Sequence, residues 1–265
     1  MYPDVTRPAR RVRSLSGAEM RLLWRNKTAV FTALAMPVGM VLVMVASGVQ
    51  DATGVEMGPF VVLALAAFTL LFVVYYNLVA AYVARRENLV LKRLRTCEAT
   101  DREILLGMAA PSVVVAFAQI VAGLAAAAAF LDFGRLANPL LIAVGIGGGA
   151  VVFVLLAAAS TGFTRNVEIA QITTLPVAVV STFFSGLLFP LDMLPAAGEQ
   201  VARLLPLTPV LELINLGFTG SAGSGAPVGF GATFGEAIVP VAVLVAWTFI
   251  GLYAVRRWFR WEPRA

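Results

Sequence analysis

Residues 84–103 read ARRENLVLKRLRTCEATDRE, and the reading of this stretch decides the fold. It holds six of the twenty basic residues and four of the fifteen acidic ones, and long apolar runs flank it on both sides. Before it stands FVVLALAAFTLLFVVYYNLVAAY (60–82), after it ILLGMAAPSVVVAFAQIVAGLAAAAAFL (104–131). At 1.5 Å per helical residue each run can cross a hydrocarbon core about 30 Å thick. The charged island is then a water-side platform held between two membrane helices.

Composition agrees. Of 265 residues, 60% are hydrophobic and 13% charged, and the mean hydropathy is +0.87. A soluble domain of this length does not carry that much apolar sequence, so the expected class is an all-α integral membrane protein. One cysteine rules out an internal disulfide framework and a multi-cysteine metal site, and the lack of histidine removes the commonest metal ligand and general base. No metal site and no catalytic residue are expected. The glycine run GIGGGA (145–150) is not a phosphate loop, because no Gly-Lys pair exists in the chain. Its small residues instead suit close approach of helices.

Six transmembrane helices are expected. Residues 1–13, with Pro3, Pro8 and four arginines, read as a disordered basic arm, and 14–27 as an interfacial helix with Trp24 at headgroup depth. Together 1–27 form a cytoplasmic segment, and 28–265 the six-span domain. The spans are 28–48 with Pro37 inside, 58–81, one opening at Thr100 with Pro111 inside, 139–161, 169–188 with Pro176 inside, and 237–255. Thr100 and Glu103 carry the spacing of a capping box. Tyr75 and Tyr76, near the end of the second span, read as interface anchors. The segment 189–236 is broken by Pro190, Pro195, Pro206 and Pro209 into pieces too short to span, which points to re-entrant helices followed by a flexible loop at 219–235.

Eighteen basic residues fall in the amino-terminal segment, the platform, the 162–168 loop and the carboxyl tail; only Arg135 and Arg203 fall in the opposite loops. The positive-inside rule then puts both termini and the platform in the cytoplasm and 189–236 outside. Eighteen arginines against two lysines in an Ala/Val/Gly-rich background suggest a GC-rich bacterial source, hence a bacterial plasma membrane.

The platform resembles the loop after the second span of ABC-2 type transporter permeases, whose pattern is approximately E-R-E-x-G-T-L-x-R-L-R-x-T-P-x-S. The chain matches at Arg86, Glu87, Leu91, Arg93, Leu94 and Arg95, with Thr100 for the usual serine. It departs at Arg85 for glutamate, Leu89 for glycine, Val90 for threonine, Cys97 for threonine and Glu98 for proline. A second block, SGLLFPLDMLPAAGEQVARLLPLTPVLELINLGFTG (185–220), is similar to the family's G-x-x-F-P-x-x-x-L-P segment.

The resemblance implies a permease subunit of an ATP-driven exporter, a homodimer docked on two copies of a cytoplasmic ATP-binding subunit. That subunit would bind ATP and Mg, leaving this chain without a cofactor. The loop 82–104 would couple to it through Arg86, Glu87, Leu91, Lys92, Arg93, Leu94 and Arg95; alternatively these charges only hold the loop on the cytoplasmic side. Phe189, Pro190, Leu194 and Pro195 would form an external gate, or a lid without a gating role. Asn77, Gln171, Thr173 and Thr174 could line a pathway, and with Gln119 could equally hydrogen-bond between helices. The branch implied exports hydrophobic or amphiphilic, drug-like compounds; export of a lipid or lipid-linked glycan is the alternative cargo. An ion-coupled secondary transporter is the alternative of another class, although it predicts charge pairs in the spans that the sequence lacks. Membrane lipids are the remaining partners, and no nucleic acid is expected.

Overall fold

The computed structural model describes residues 6–53, 55–96, 99–131, 136–221 and 228–262. All regular structure among them is helical. Cys97, Glu98, Arg135 and the middle of the 219–235 loop lie outside the described residues.

Helix α1, Thr6–Arg25, begins within the segment expected to be a disordered arm. Val12, Leu15, Met20 and Leu23 are half-buried, while Arg10, Arg13, Arg21 and Arg25 are exposed. The arginines that resemble a tail are thus the wet face of an amphipathic helix. Helix α2, Lys27–Ala46, follows after Asn26, whose side chain accepts from the Ala29 N–H at 3.1 Å. It widens to π-helical turns over Phe31–Ala35. Pro37 explains the widening, since it cannot donate to Ala33 and its ring crowds that carbonyl.

Helix α3, Met57–Glu87, is the central element, with most of its apolar length buried. It runs past the expected end at residue 81, because Arg85 and Arg86 in its last turn complement the negative end of the helix dipole. Tyr75 therefore lies well inside the helix. It is fully buried with its hydroxyl 2.9 Å from the Ser160 hydroxyl, not an interface anchor. Thr69–Tyr76 is π-helical.

After the short helix α4, Val90–Arg95, comes α5, Asp101–Phe130, opened by the expected capping box. The Thr100 N–H donates to Glu103 at 2.7 Å, and the Glu103 N–H to the Thr100 hydroxyl at 3.3 Å. Helix α1 lies against α5 where Gly107 leaves room: a Cβ there would stand 2.8 Å from Leu15 Cβ.

Helix α6 is Pro139–Ser160, capped by Asn138, and α7 is Val167–Phe183, capped by Asn166. At 17 residues α7 is about 25 Å long, the low end of what can span. It stops at Phe183 rather than at 188, and Gly186, at φ +80, turns the chain. Helices α8, Ala196–Arg203, and α9, Thr208–Thr219, meet at 87°, a bent pair at the proline breaks where the sequence suggests re-entrant helices. Helix α10, Ile238–Trp258, closes the bundle. Five helices (α2, α3, α5, α6, α10) are long and apolar enough to cross a membrane, and the α8–α9 pair passes the same test when taken together.

The glycine run does what small residues do between helices. A Cβ on Gly149 would meet Leu70 and Val210 at 2.9 Å, one on Gly145 the Val210 carbonyl at 3.0 Å, and one on Gly217 would meet Ile142 Cγ1 at 2.4 Å. These contacts set α9 antiparallel along the first half of α6. The Thr208 end of α9 is tied down by its own hydroxyl to the Ala202 and Phe184 carbonyls, at 2.6 and 3.0 Å. Trp247 of α10 donates to the Leu204 carbonyl at 2.7 Å, holding the break between α8 and α9.

Candidate functional site

Nearly all the platform residues gather at one end of the bundle, where α3 runs into α4. Leu89 makes the corner. It is the only non-glycine residue with positive φ among those described, at 58°. This is the position where the resembling loops carry glycine, and the left-handed turn is the physical reason for that preference. Leu89→Gly is expected to leave the fold intact and raise stability by up to about 1 kcal/mol, whereas Leu89→Val costs at least about 1 kcal/mol. Thermal unfolding in detergent compares the two; equal melting temperatures would contradict this account.

The residues of the platform divide by direction. Leu91 is fully buried and Leu94 half-buried against the core, so they fasten α4 to the bundle. Glu87, Lys92, Arg93 and Arg95 are exposed. Arg86 points the other way: at 1% exposure it donates to the carbonyls of Thr161 at 2.7 Å, Thr164, and Arg165 at 3.1 Å. It clamps the loop between α6 and α7 to the end of α3, and no outside partner can reach it. Grouping Arg86 with the docking charges is therefore not what the geometry shows; Arg86 fixes the platform rather than presenting itself.

Arg85, where the resembling pattern has glutamate, forms a two-pronged pair with Glu19 of α1 at 2.8 and 3.0 Å. Both side chains are largely shielded, at 19% and 14% exposure, and a forked geometry of this kind is the stronger sort of ion pair. Arg11 of α1 lies 4.0 Å from Glu103. Ser16 donates to the Gly107 carbonyl at 3.0 Å. Helix α1 is thus joined to both helices that flank the platform. Sequence reasoning missed this, as Glu19 and Arg85 are 66 residues apart and neither stands in a motif.

The segment after α10 also reaches the platform. Phe259 packs edge-on against Tyr82 at 5.8 Å between ring centres, and against Trp261 at 4.9 Å. The Arg95 guanidinium sits 4.8 Å over the Trp261 ring, and Lys92 pairs with Glu262 at 3.0 Å. Arg95 also pairs with Asp101 at 3.1 Å. The only sequence signal for these contacts is the aromatic pair of the tail, which also fits an interfacial anchor.

The polar residues considered for a pathway are not brought together around a cavity. Asn77 is buried and accepts from the Thr32 hydroxyl at 2.7 Å, linking α3 to α2. Gln119 donates to the Leu34 carbonyl at 3.3 Å. Thr173 and Thr174 bond back to their own helix, to Ile169 at 3.1 Å and Ala170 at 2.7 Å, and Thr173 also meets Thr164 at 2.9 Å. Gln171 alone of the four is exposed, on an apolar face with Ile172 and Leu175. A crevice of about 280 Å³ lies elsewhere, lined by apolar residues of α6 and α10 that include Leu140, Val144 and Val241. Of the four external residues, Pro190 leads into the turn Leu191–Met193 and Pro195 into α8. Phe189 and Leu194 are half-buried beside them. Among the described residues no group of three or more His, Cys, Asp or Glu could hold a metal ion.

The chain is an all-helical, multi-pass membrane domain with a bent helix pair and a short charged helix between its second and third long helices. The chain belongs to the ABC-2 type transporter family, whose membrane-domain model matches residues 10–218. No curated protein matches it significantly. It is thus the permease, a non-catalytic part of a transporter whose family generally pairs such permeases with ATP-binding subunits.

Proposed function

We propose that this chain is the permease of an ATP-driven exporter that moves hydrophobic or amphiphilic, drug-like compounds outward across a bacterial plasma membrane. The observation that carries it is the mechanical continuity of α4. Its exposed face, with Lys92, Arg93 and Arg95, and with Glu87 beside it at the end of α3, is set on that central helix by a buried leucine and, through Arg86, tied to the α6–α7 loop. A force applied to α4 from water is delivered to α3, α5, α6 and α7 together. In this reading both termini and α4 face the cytoplasm, where two ATP-binding subunits supply the force and the nucleotide chemistry. Two copies of the permease meet in the membrane, and the exposed amide of Gln171 on an apolar helix is best placed against protein or a pathway, since lipid would leave it unpaired. Phe189, Pro190, Leu194 and Pro195 set the angle at which α8 and α9 cover the outer end.

The test is reconstitution in liposomes. ATP-binding subunit alone, and with this chain, is assayed for ATPase and for export of a fluorescent amphiphile and a fluorescent lipid. The expected result is ATPase stimulation by the permease and ATP-dependent export of the amphiphile. Unchanged ATPase and export would sink the proposal, and export of the lipid alone would replace the cargo class. Arg93→Glu and Glu87→Lys are expected to weaken docking about tenfold or more, as reversed charges at an interface do, while membrane insertion is retained. Normal assembly of both variants would count against the coupling role.

A further inference from the structure

We propose that Phe259, Trp261 and Glu262 are positioning residues for the coupling helix α4, fixing the direction in which it is offered to the motor. This rests on the coupling role proposed for α4.

Helix α4 has only six residues, too few to hold a helix in water by backbone bonding alone. Its two leucines secure the inner side. Nothing in its own sequence fixes rotation about that anchor, and its outer cations stand on long flexible stems. The segment after α10 supplies the missing constraint. Helix α10 is itself held at this end, because Gly162 lies under Trp258, where a Cβ would be 2.5 Å from the Trp258 carbonyl, and Phe163 packs edge-on to the Trp258 ring at 5.3 Å. From that fixed point Phe259 meets Tyr82 on α3, and Trp261 lies under the Arg95 guanidinium. Glu262 pairs with Lys92 one turn before.

The contacts rank by exposure. Lys92 and Glu262 are more than half exposed, so their pair guides more than it holds. Phe259 and Trp261 are partly buried against the core and form the fixed part of the brace. Trp261 therefore orients Arg95, and through it the basic face of α4, with Asp101 at the start of α5 pairing with the same guanidinium. Phe259 and Trp261 meet the core only at its edge, so loss of the Trp261 ring is expected to loosen α4 without unfolding the permease.

The experiment uses the full chain with Cys97→Ser and a spin label on Thr96→Cys, purified alone and then reconstituted with its ATP-binding subunit. Trp261→Ala is expected to leave the melting temperature unchanged and increase label mobility. It should also lower permease-stimulated ATPase about three- to fivefold, the scale of one exposed cation–π contact. Trp261→Phe, which keeps a ring under Arg95, is expected to restore both readings. If Arg93→Glu abolishes stimulation while Trp261→Ala behaves as the parent, the inference fails and the coupling role of α4 stands. If Arg93→Glu also stimulates normally, the coupling role itself fails. A mobile label with unaltered ATPase would equally overturn the positioning role.

Discussion

Replacing Arg86 by leucine is expected to lower stability by about 3 kcal/mol or more, seen as a drop in melting temperature on the order of 5–10 °C in detergent. The guanidinium serves three backbone carbonyls in a place that water does not reach. Leucine fills much of the space, but the carbonyls of Thr161, Thr164 and Arg165 lose charge-assisted partners, each worth about 1.5–3 kcal/mol. Lysine keeps the charge yet cannot reach three acceptors as a planar fork does, so Arg86→Lys should fall between. The loop released is the one that holds Trp258, so α4 should lose its brace in the same variant. A melting temperature equal to the parent would show that the clamp contributes nothing.

Gly217→Val has a comparable expected effect for the opposite reason. Even one added carbon would lie 2.4 Å from Ile142 Cγ1 and 2.8 Å from the Asn138 carbonyl, and the latter is backbone that cannot turn aside. The Asn138 N–H donates to the Gly217 carbonyl at 2.9 Å, so pushing α9 away breaks a bond as well as a contact. A cost of at least about 3 kcal/mol is expected, the upper range for overpacking, with misfolded or poorly expressed protein as the visible result. Gly147→Val is the control, since a Cβ at Gly147 meets nothing within 4 Å. Equal expression and melting of the two variants would contradict the close packing of α6 and α9.

How much of this was legible in the sequence depended on the range of the interaction concerned. Long helices were readable because length and hydropathy are local properties, and the capping box at Thr100 was readable because both partners stand within one turn. The proline breaks in 189–236 likewise announced a bent pair, for proline acts on its own backbone. The basic arm reads as a tail only when 1–13 is taken by itself, where few apolar residues stand; over the full length of α1 the amphipathic period is present in the sequence. Arg86 and Arg93 look alike in sequence, both cations in a charged island. Which of them turns inward depends on the 161–165 loop, 75 or more residues away. The tail was invisible for the same reason. Tyr75 lies inside because α3 runs on as α-helix to Glu87, beyond the apolar run that suggests its end.

The 87° break before α9 also bears on how the chain enters a membrane. Twelve residues make a helix of about 18 Å, which leaves unpaired backbone ends within hydrocarbon if it inserts alone. Its partners are α6, made before it, and α10, made after it, and the Trp247 bond that secures its start comes from the later one. Membrane assembly of this permease is therefore not sequential along the chain: the packing of α9 is complete only once both α6 and α10 are in place.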